Sequence, residues 1–186
     1  MKTTSCSLAL ISLLALTLVA PTLFAEPTAT LIITPKAGAK APLVEGKDQD
    51  GNKWKLSDEI GRNAVLLYFY PKDNTPGCTK EACSLRDKIG DFKTQGVDVV
   101  GVSFDSADSH KNFVFKYDLN FPLIADPEGK IADIYGVRMS GGKKMARRVS
   151  FLINMDGKIV HVTDSPNPDV HLKEMQRAIE GLKNRP

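Results

Sequence analysis

Cysteine is scarce in this chain: 186 residues hold three, Cys6, Cys78 and Cys83, and no two of them are separated by just two residues. A thioredoxin-type dithiol uses two intervening residues, whereas Cys78 and Cys83 have four between them, so the spacing argues against a general disulfide reductase. Histidine is equally sparse. His110, His161 and His171 lie in separate segments away from the cysteines; two cysteines with no histidine nearby make a poor zinc site, and each histidine reads as a surface or packing residue. Strong charge is missing too. A net charge of +3 spread along the chain gives no reason to expect nucleic acid as a partner. The basic cluster Lys143, Lys144, Arg147 and Arg148 is short, and its first three members read as a solvated loop leading into a strand. With no low-complexity tract and 42% hydrophobic residues, the chain has the makings of one enzyme-sized domain.

Residues Met1 to about Ala25 have their own grammar: Lys2 near the start, an apolar run from Leu8 to Ala20, then small residues before Glu26. This resembles a secretory signal peptide. The apolar stretch is too short for a membrane span, which leaves an uncleaved anchor as the lesser alternative. Arginines and the amphipathic spacing of a transit peptide are absent, and Cys6 stands too early for lipoprotein acylation. Removal of the segment leaves Cys78 and Cys83 in a compartment outside the cytosol, with a bacterial periplasm as the expected location. An even cysteine pair in an oxidising space suggests a disulfide. Closing so short a loop constrains little unfolded-chain entropy, so redox chemistry explains the pair better than stabilisation does.

The expected organisation is a signal peptide over 1–25, a tether over 26–40 and one domain over 41–186; the Pro/Ala/Gly-containing stretch from Glu26 to Pro42 shows no sustained period. Asp48 to Asn52 carries turn chemistry between short stretches around Leu43 and Trp54, which predicts an N-terminal β-hairpin. Ser57, Asp58 and Glu59 suggest a short helical turn. Ala64 to Tyr70 and Val97 to Phe104 are almost wholly apolar, as central strands buried on both faces are. Between them Ala82, Leu85, Ile89 and Phe92 recur at spacings of three and four, predicting a helix over Thr79 to Gln95 that stops at Gly96. A second helix is predicted over Ser106 to Asp118, a strand over Leu123 to Ala125 and a short helix over Pro127 to Tyr135. Ser150 to Asn154 and Lys158 to Val162 read as strands joined by an Asp-Gly turn. A last helix starts near Pro168. The sum is an α/β domain with a mixed central sheet flanked by helices.

Pro71-Lys72-Asp73-Asn74-Thr75-Pro76-Gly77-Cys78 ends the first central strand and opens the first long helix with a thiol in its first turn. Backbone N–H groups and the positive end of the helix dipole favour thiolate, the nucleophilic form, at such a place. Cys78 falls on the apolar stripe and Cys83 lies about 140° from its centre. In an intact helix their alpha carbons would stand about 8.7 Å apart, beyond disulfide reach, so a bond between them requires the first turns to unwind. Thr75 before Pro76 reads as an N-cap with proline at the first helical position. Its hydroxyl can serve helix and substrate together.

Proline, three residues, threonine, two residues and cysteine in that order resemble the peroxiredoxin active-site signature, and Cys83 five residues on resembles the peroxiredoxin Q, or bacterioferritin comigratory protein, subfamily. Arg148-Val149-Ser150-Phe151-Leu152-Ile153 resembles the segment that carries the essential arginine, with Ser150 where relatives often have threonine. Strand alternation lets only one of Arg147 and Arg148 serve, and the resemblance favours Arg148. It covers roughly residues 40 to 186 and implies a thioredoxin-like fold. By that resemblance Cys78 is the peroxidatic cysteine, attacking hydrogen peroxide or an organic hydroperoxide, and Cys83 resolves the sulfenic acid as an intramolecular disulfide. Thr75 and Arg148 complete the catalytic set, while Pro71 and Gly77 contact substrate through chain direction and a backbone N–H. A thioredoxin-like protein re-reduces the disulfide, no haem, flavin or metal is implied, and the protein is expected to be a monomer. The competing readings are a disulfide carrier and a redox-sensing module.

Overall fold

The computed structural model describes residues 33–184, so the signal-like segment lies outside the described residues. The described part opens with a hairpin, β1 (Glu45–Lys47) and β2 (Lys53–Lys55), followed by one helical turn, α1 (Leu56–Glu59). The core alternates β3 (Ala64–Phe69), α2 (Pro76–Thr94), β4 (Val97–Ser103), α3 (Ala107–Tyr117), β5 (Leu123–Ala125) and α4 (Lys130–Ile134). It closes with the strands β6 (Val149–Ile153) and β7 (Ile159–Asp164), then α5 (Pro168–Glu180) and a 3-10 turn over Gly181–Asn184.

The strands form one mixed sheet in the order β2-β1-β5-β4-β3-β6-β7. β3, β4 and β5 run parallel, whereas β6 is antiparallel to β3 and places Val149 opposite Phe69. Every residue of β3 is buried. Because successive side chains alternate, Leu66 and Tyr68 enter the layer shared with α2 and α5, and Val65, Leu67 and Phe69 enter the opposite layer with Ile131, Tyr135 and Phe151. Two apolar layers on one sheet explain why the sequence of β3 is continuous rather than alternating.

α2 begins at Pro76, whose missing N–H costs nothing at a helix start. It buries Cys78, Ala82, Leu85, Ile89 and Phe92, the predicted stripe, and with them Glu81. After Thr94 the chain turns through Gly96 at φ 68, and the Gly96 N–H bonds the Lys93 carbonyl at 3.0 Å. α3 is capped by Ser106, whose Oγ accepts from the Ser109 N–H.

Two expectations change. The helix expected from Pro127 is shorter, because the Gly129 N–H closes a turn on the Asp126 carbonyl and the Asp126 carboxylate accepts from the Ala132 N–H; the helix starts only at Lys130. The later part of the stretch expected as a tether is docked on the domain. Thr34 donates to the Gly136 carbonyl at 2.8 Å, the Gly38 N–H bonds the Ile159 carbonyl at 2.7 Å, and Lys40 pairs with Lys158. Backbone hydrogen bonds need no hydrophobic period, so composition could not reveal this docking. Leu85→Ala, which hollows the α2 side of the core, is expected to lower stability by about 2–5 kcal/mol in urea unfolding of the reduced protein.

Candidate active site

β3 delivers the chain to Tyr70 at the C-terminal end of the parallel strands, where open α/β sheets place their ligands. The loop from Pro71 to Thr75 then turns into α2, with Asn74 in the left-handed region at φ 57. A buried polar cluster pins this loop. Asp73 accepts from the Tyr70 hydroxyl at 2.7 Å and the Ser109 hydroxyl at 2.7 Å, and it pairs with Nδ1 of His110 at 2.9 Å. Its own N–H bonds the Asp105 carboxylate at 3.0 Å. Burial alone would raise the Asp73 carboxyl, but the bonds from His110, Tyr70 and Ser109 outweigh it and hold the group below its ordinary value.

Cys78 occupies the first turn of α2 and is only 2% exposed. Arg148, placed by the β3–β6 register beside the end of β3, reaches back across 70 residues to bond Cys78 Sγ with its second guanidinium nitrogen at 3.4 Å. The first nitrogen holds the Glu81 carboxylate in a buried ion pair. Arg147 turns elsewhere and binds Asp164, the Thr34 hydroxyl and the Gly136 carbonyl. The two arginines stand in the irregular stretch just ahead of β6 rather than within the strand, and they turn to different partners, one to Asp164 and one to the thiol.

Thr75 stands at the N-cap position, yet it makes no side-chain cap bond; its hydroxyl donates to the Lys72 carbonyl at 3.0 Å. With its proton so engaged, the hydroxyl has only its lone pairs left for any further partner. Gly77 lies where a Cβ would stand 3.2 Å from Cγ of Pro168 and 3.4 Å from the Arg148 guanidinium. Pro71 lines a cavity of about 410 Å³ with Lys72, Phe104, Asp105, Lys143, Lys144 and Met145. Cys83 is partly buried and, like Cys78, a free thiol in an unbroken helix. The structure therefore brings Cys78, Arg148 and Gly77 together and leaves Cys83 outside the cluster. Among the described residues no group of three or more potential metal ligands occurs.

Sequence reasoning missed the groups behind Arg148. Glu81 and His171 are both 0% exposed, with Nε2 of His171 at 3.5 Å from Glu81 and 2.8 Å from the Ser150 hydroxyl. Burial pushes the Glu81 carboxyl up to about 7, a rise that Arg148 partly offsets. Burial, aided by Arg148, pulls the His171 imidazole down to about 4. The available signal was positional: Glu81 falls three residues after Cys78 on the same face, and His171 sits four before Met175 on the apolar face of α5. His110, also buried, was missed for the same reason.

The AhpC/TSA family profile matches residues 37–162. The chain belongs to the AhpC/TSA family. It is 45% identical over 134 residues to peroxiredoxin Bcp of Escherichia coli (strain K12), covering 69% of this chain and 85% of that one. The crystal structure of peroxidoxin BcpB from Mycobacterium tuberculosis superposes with a TM-score of 0.73 at 32% identity, over 78% of this chain and 97% of the other. A Xanthomonas campestris bacterioferritin comigratory protein, described for its alkyl peroxide reduction activity, follows at a TM-score of 0.68 and 28% identity, covering 74% of this chain and 90% of its own. The fold is that of the thioredoxin-like peroxiredoxins, and this peroxiredoxin is a peroxidase of the Bcp and Q type.

Two outcomes follow from the packing around Arg148. Gly77→Ala, by crowding Arg148 and Pro168, is expected to slow the reaction of Cys78 with peroxide about tenfold, the equivalent of about 1.4 kcal/mol, in stopped-flow assays of folded protein. The pH dependence of stability has two opposing parts. Between pH 4 and 6.5 the unfolded chain protonates His171 while the folded protein does not, so stability falls on acidification. Between pH 4.5 and 7 the folded protein holds a proton on Glu81 that the unfolded chain has lost, so stability rises on acidification. Where the windows overlap the effects cancel. Glu81→Gln removes the second and should make the melting temperature fall more steeply than in wild type from about pH 6.5 to 4.5, as calorimetry can check.

Proposed function

We propose that Cys78 is the peroxidatic thiol, that Arg148 is its cationic partner, and that Cys83 resolves the oxidised form. The observation that carries this reading is the 3.4 Å contact between the Arg148 guanidinium and Cys78 Sγ, both buried at a helix start. Sγ bonds to the terminal oxygen of a hydroperoxide as the O–O bond breaks. Sulfur is oxidised to a sulfenic acid, and the leaving oxygen takes a proton to become water or an alcohol. The thiolate alone cannot account for a fast reaction, because nucleophilicity declines with pKa. Preorganised donors carry the acceleration: the guanidinium and the first N–H groups of α2 face the oxygen on which negative charge develops, while Thr75 accepts from the peroxide O–H. Organic hydroperoxides are included as substrates, in line with the activity described for the Xanthomonas campestris relative.

The Cys83 thiol then attacks the sulfenic sulfur, forming an S–S bond and releasing water. Because α2 runs unbroken through both residues, its first turns unwind to make that bond. Capture by Cys83 keeps Cys78 from the irreversible sulfinic and sulfonic states. A thioredoxin-like dithiol returns two electrons. The protein acts as an exported monomer in the periplasm, without stable membrane attachment once the signal-like segment is removed. Among the described residues no helix is long and apolar enough to cross a membrane.

One equivalent of hydrogen peroxide added to reduced protein lacking the signal segment should consume two thiols and two mass units on a stopped-flow timescale. Cys78→Ser abolishes this, and Cys83→Ser diverts it to sulfenic or sulfinic acid. Oxidation no faster than that of an ordinary exposed cysteine would retire the assignment.

A further inference from the structure

The entrance to α2 is not fixed from within. Thr75 makes no side-chain cap bond and spends its hydroxyl proton inside the loop on Lys72. Asn74 stands in the left-handed region at φ 57, a conformation that persists where neighbouring contacts hold it. Those contacts converge on Asp73. Asp105 holds its N–H at 3.0 Å, and its buried carboxylate takes the Tyr70 hydroxyl on Oδ1 and the Ser109 hydroxyl on Oδ2, each at 2.7 Å. Nδ1 of the buried His110 lies 2.9 Å from the same Oδ2. A carboxylate only accepts, and the Tyr70 proton is already spent on Oδ1, so Nδ1 carries a proton and donates it to Asp73. On its other side the ring meets β5, with Nε2 3.3 Å from the Ile124 carbonyl. The imidazole is thus held between α3, β5 and the loop, with no solvent to turn to.

We propose that His110 is a positioning residue for the reaction of Cys78: its Nδ1–H fixes Asp73, and Asp73 fixes the loop that aims the first turn of α2 at the Arg148 guanidinium. His110 bonds neither the sulfur nor Arg148; it acts five residues upstream of Cys78, through the backbone that follows Asp73. A buried polar network whose members are all paired makes rigid the elements that share it. Here those elements are the loop, α3 and β5. The donors that serve a peroxide, the guanidinium and the first N–H groups of α2, come from different segments of the chain. A small rotation of the loop therefore changes their mutual aim while leaving the thiol in place.

The inference rests on the peroxidase reading of Cys78. Its test compares His110→Asn, whose amide nitrogen stands near the place of Nδ1, with His110→Gln, whose amide nitrogen stands near that of Nε2. The first keeps a donor for Asp73; the second keeps one for the Ile124 carbonyl alone. Two rates are measured on the reduced proteins: oxidation of Cys78 by hydrogen peroxide, and alkylation of Cys78 by iodoacetamide, located by peptide mass. Alkylation uses the same thiol but none of the donors aligned on peroxide. In His110→Gln peroxide oxidation should slow about tenfold while alkylation stays within about twofold of wild type. His110→Asn should recover most of the lost peroxide rate. An unchanged peroxide rate in His110→Gln, equal losses in the two variants, or alkylation that accelerates as peroxide oxidation slows, the mark of a thiol exposed by local unfolding, would each overturn the proposal. If His110→Gln does not fold, Asp73→Asn carries the same expectations for both rates, and an unchanged peroxide rate there overturns it. A wild-type rate no faster than that of an ordinary exposed cysteine would retire the peroxidase reading and this role with it, whereas a fast wild type with any of the overturning results retires the role of His110 alone.

Discussion

The Arg148 guanidinium, buried between the Cys78 sulfur and the Glu81 carboxyl, is the contact on which the rest of the site depends. A cation in so dry a place survives only with partners, and removing one partner of a buried pair costs about 3–5 kcal/mol. The arrangement is therefore weak as a source of stability and strong as a source of definition. It fixes the start of β6 against the first turns of α2, elements 70 residues apart in sequence. Any change that loosens one end is felt at the thiol.

Two anchors keep the thiol in place. Upstream, Asp73 is tied to Tyr70, Ser109 and His110, so the loop that leads into α2 is held by α3 rather than by its own short sequence. Downstream, the first turns of α2 rest on α5: Gly77 lies against Pro168, Glu81 against His171, and Lys80 pairs with Asp169 at 2.6 Å. The last pair is solvent-exposed and contributes no more than about 1 kcal/mol. A buried contact, a close backbone approach and a weak surface bridge together hold the first turns of α2 against α5.

Much of the fold was legible because burial leaves a period in sequence. The continuous apolar runs of β3 and β4, the three-and-four spacing along α2 and the Asp-Gly turn between β6 and β7 each reflect a local rule, and each element lies within a few residues of where the rule puts it. Cys78 and Arg148 were legible through the resemblance of short motifs. Docking of residues 34–40 on the domain was not legible, since it is made by backbone bonds and one hydroxyl. Nor were Glu81, His110 and His171, because a polar residue on an apolar face looks the same whether it is surface noise or a member of a buried network.

The sequence by itself determined the α/β plan, the thiol at a helix start and a second cysteine too far along an intact helix to bond it. These follow from chain-local geometry, which rise, radius and side-chain period dictate residue by residue. Tertiary structure alone decided which carboxyl shares Arg148 with the sulfur, that Arg147 is spent on Asp164, and that the Thr75 hydroxyl gives its proton to the Lys72 carbonyl. The physical reason is that charge balance in a buried site is set by what several distant segments place within a few ångströms of one another, and no single segment carries that sum.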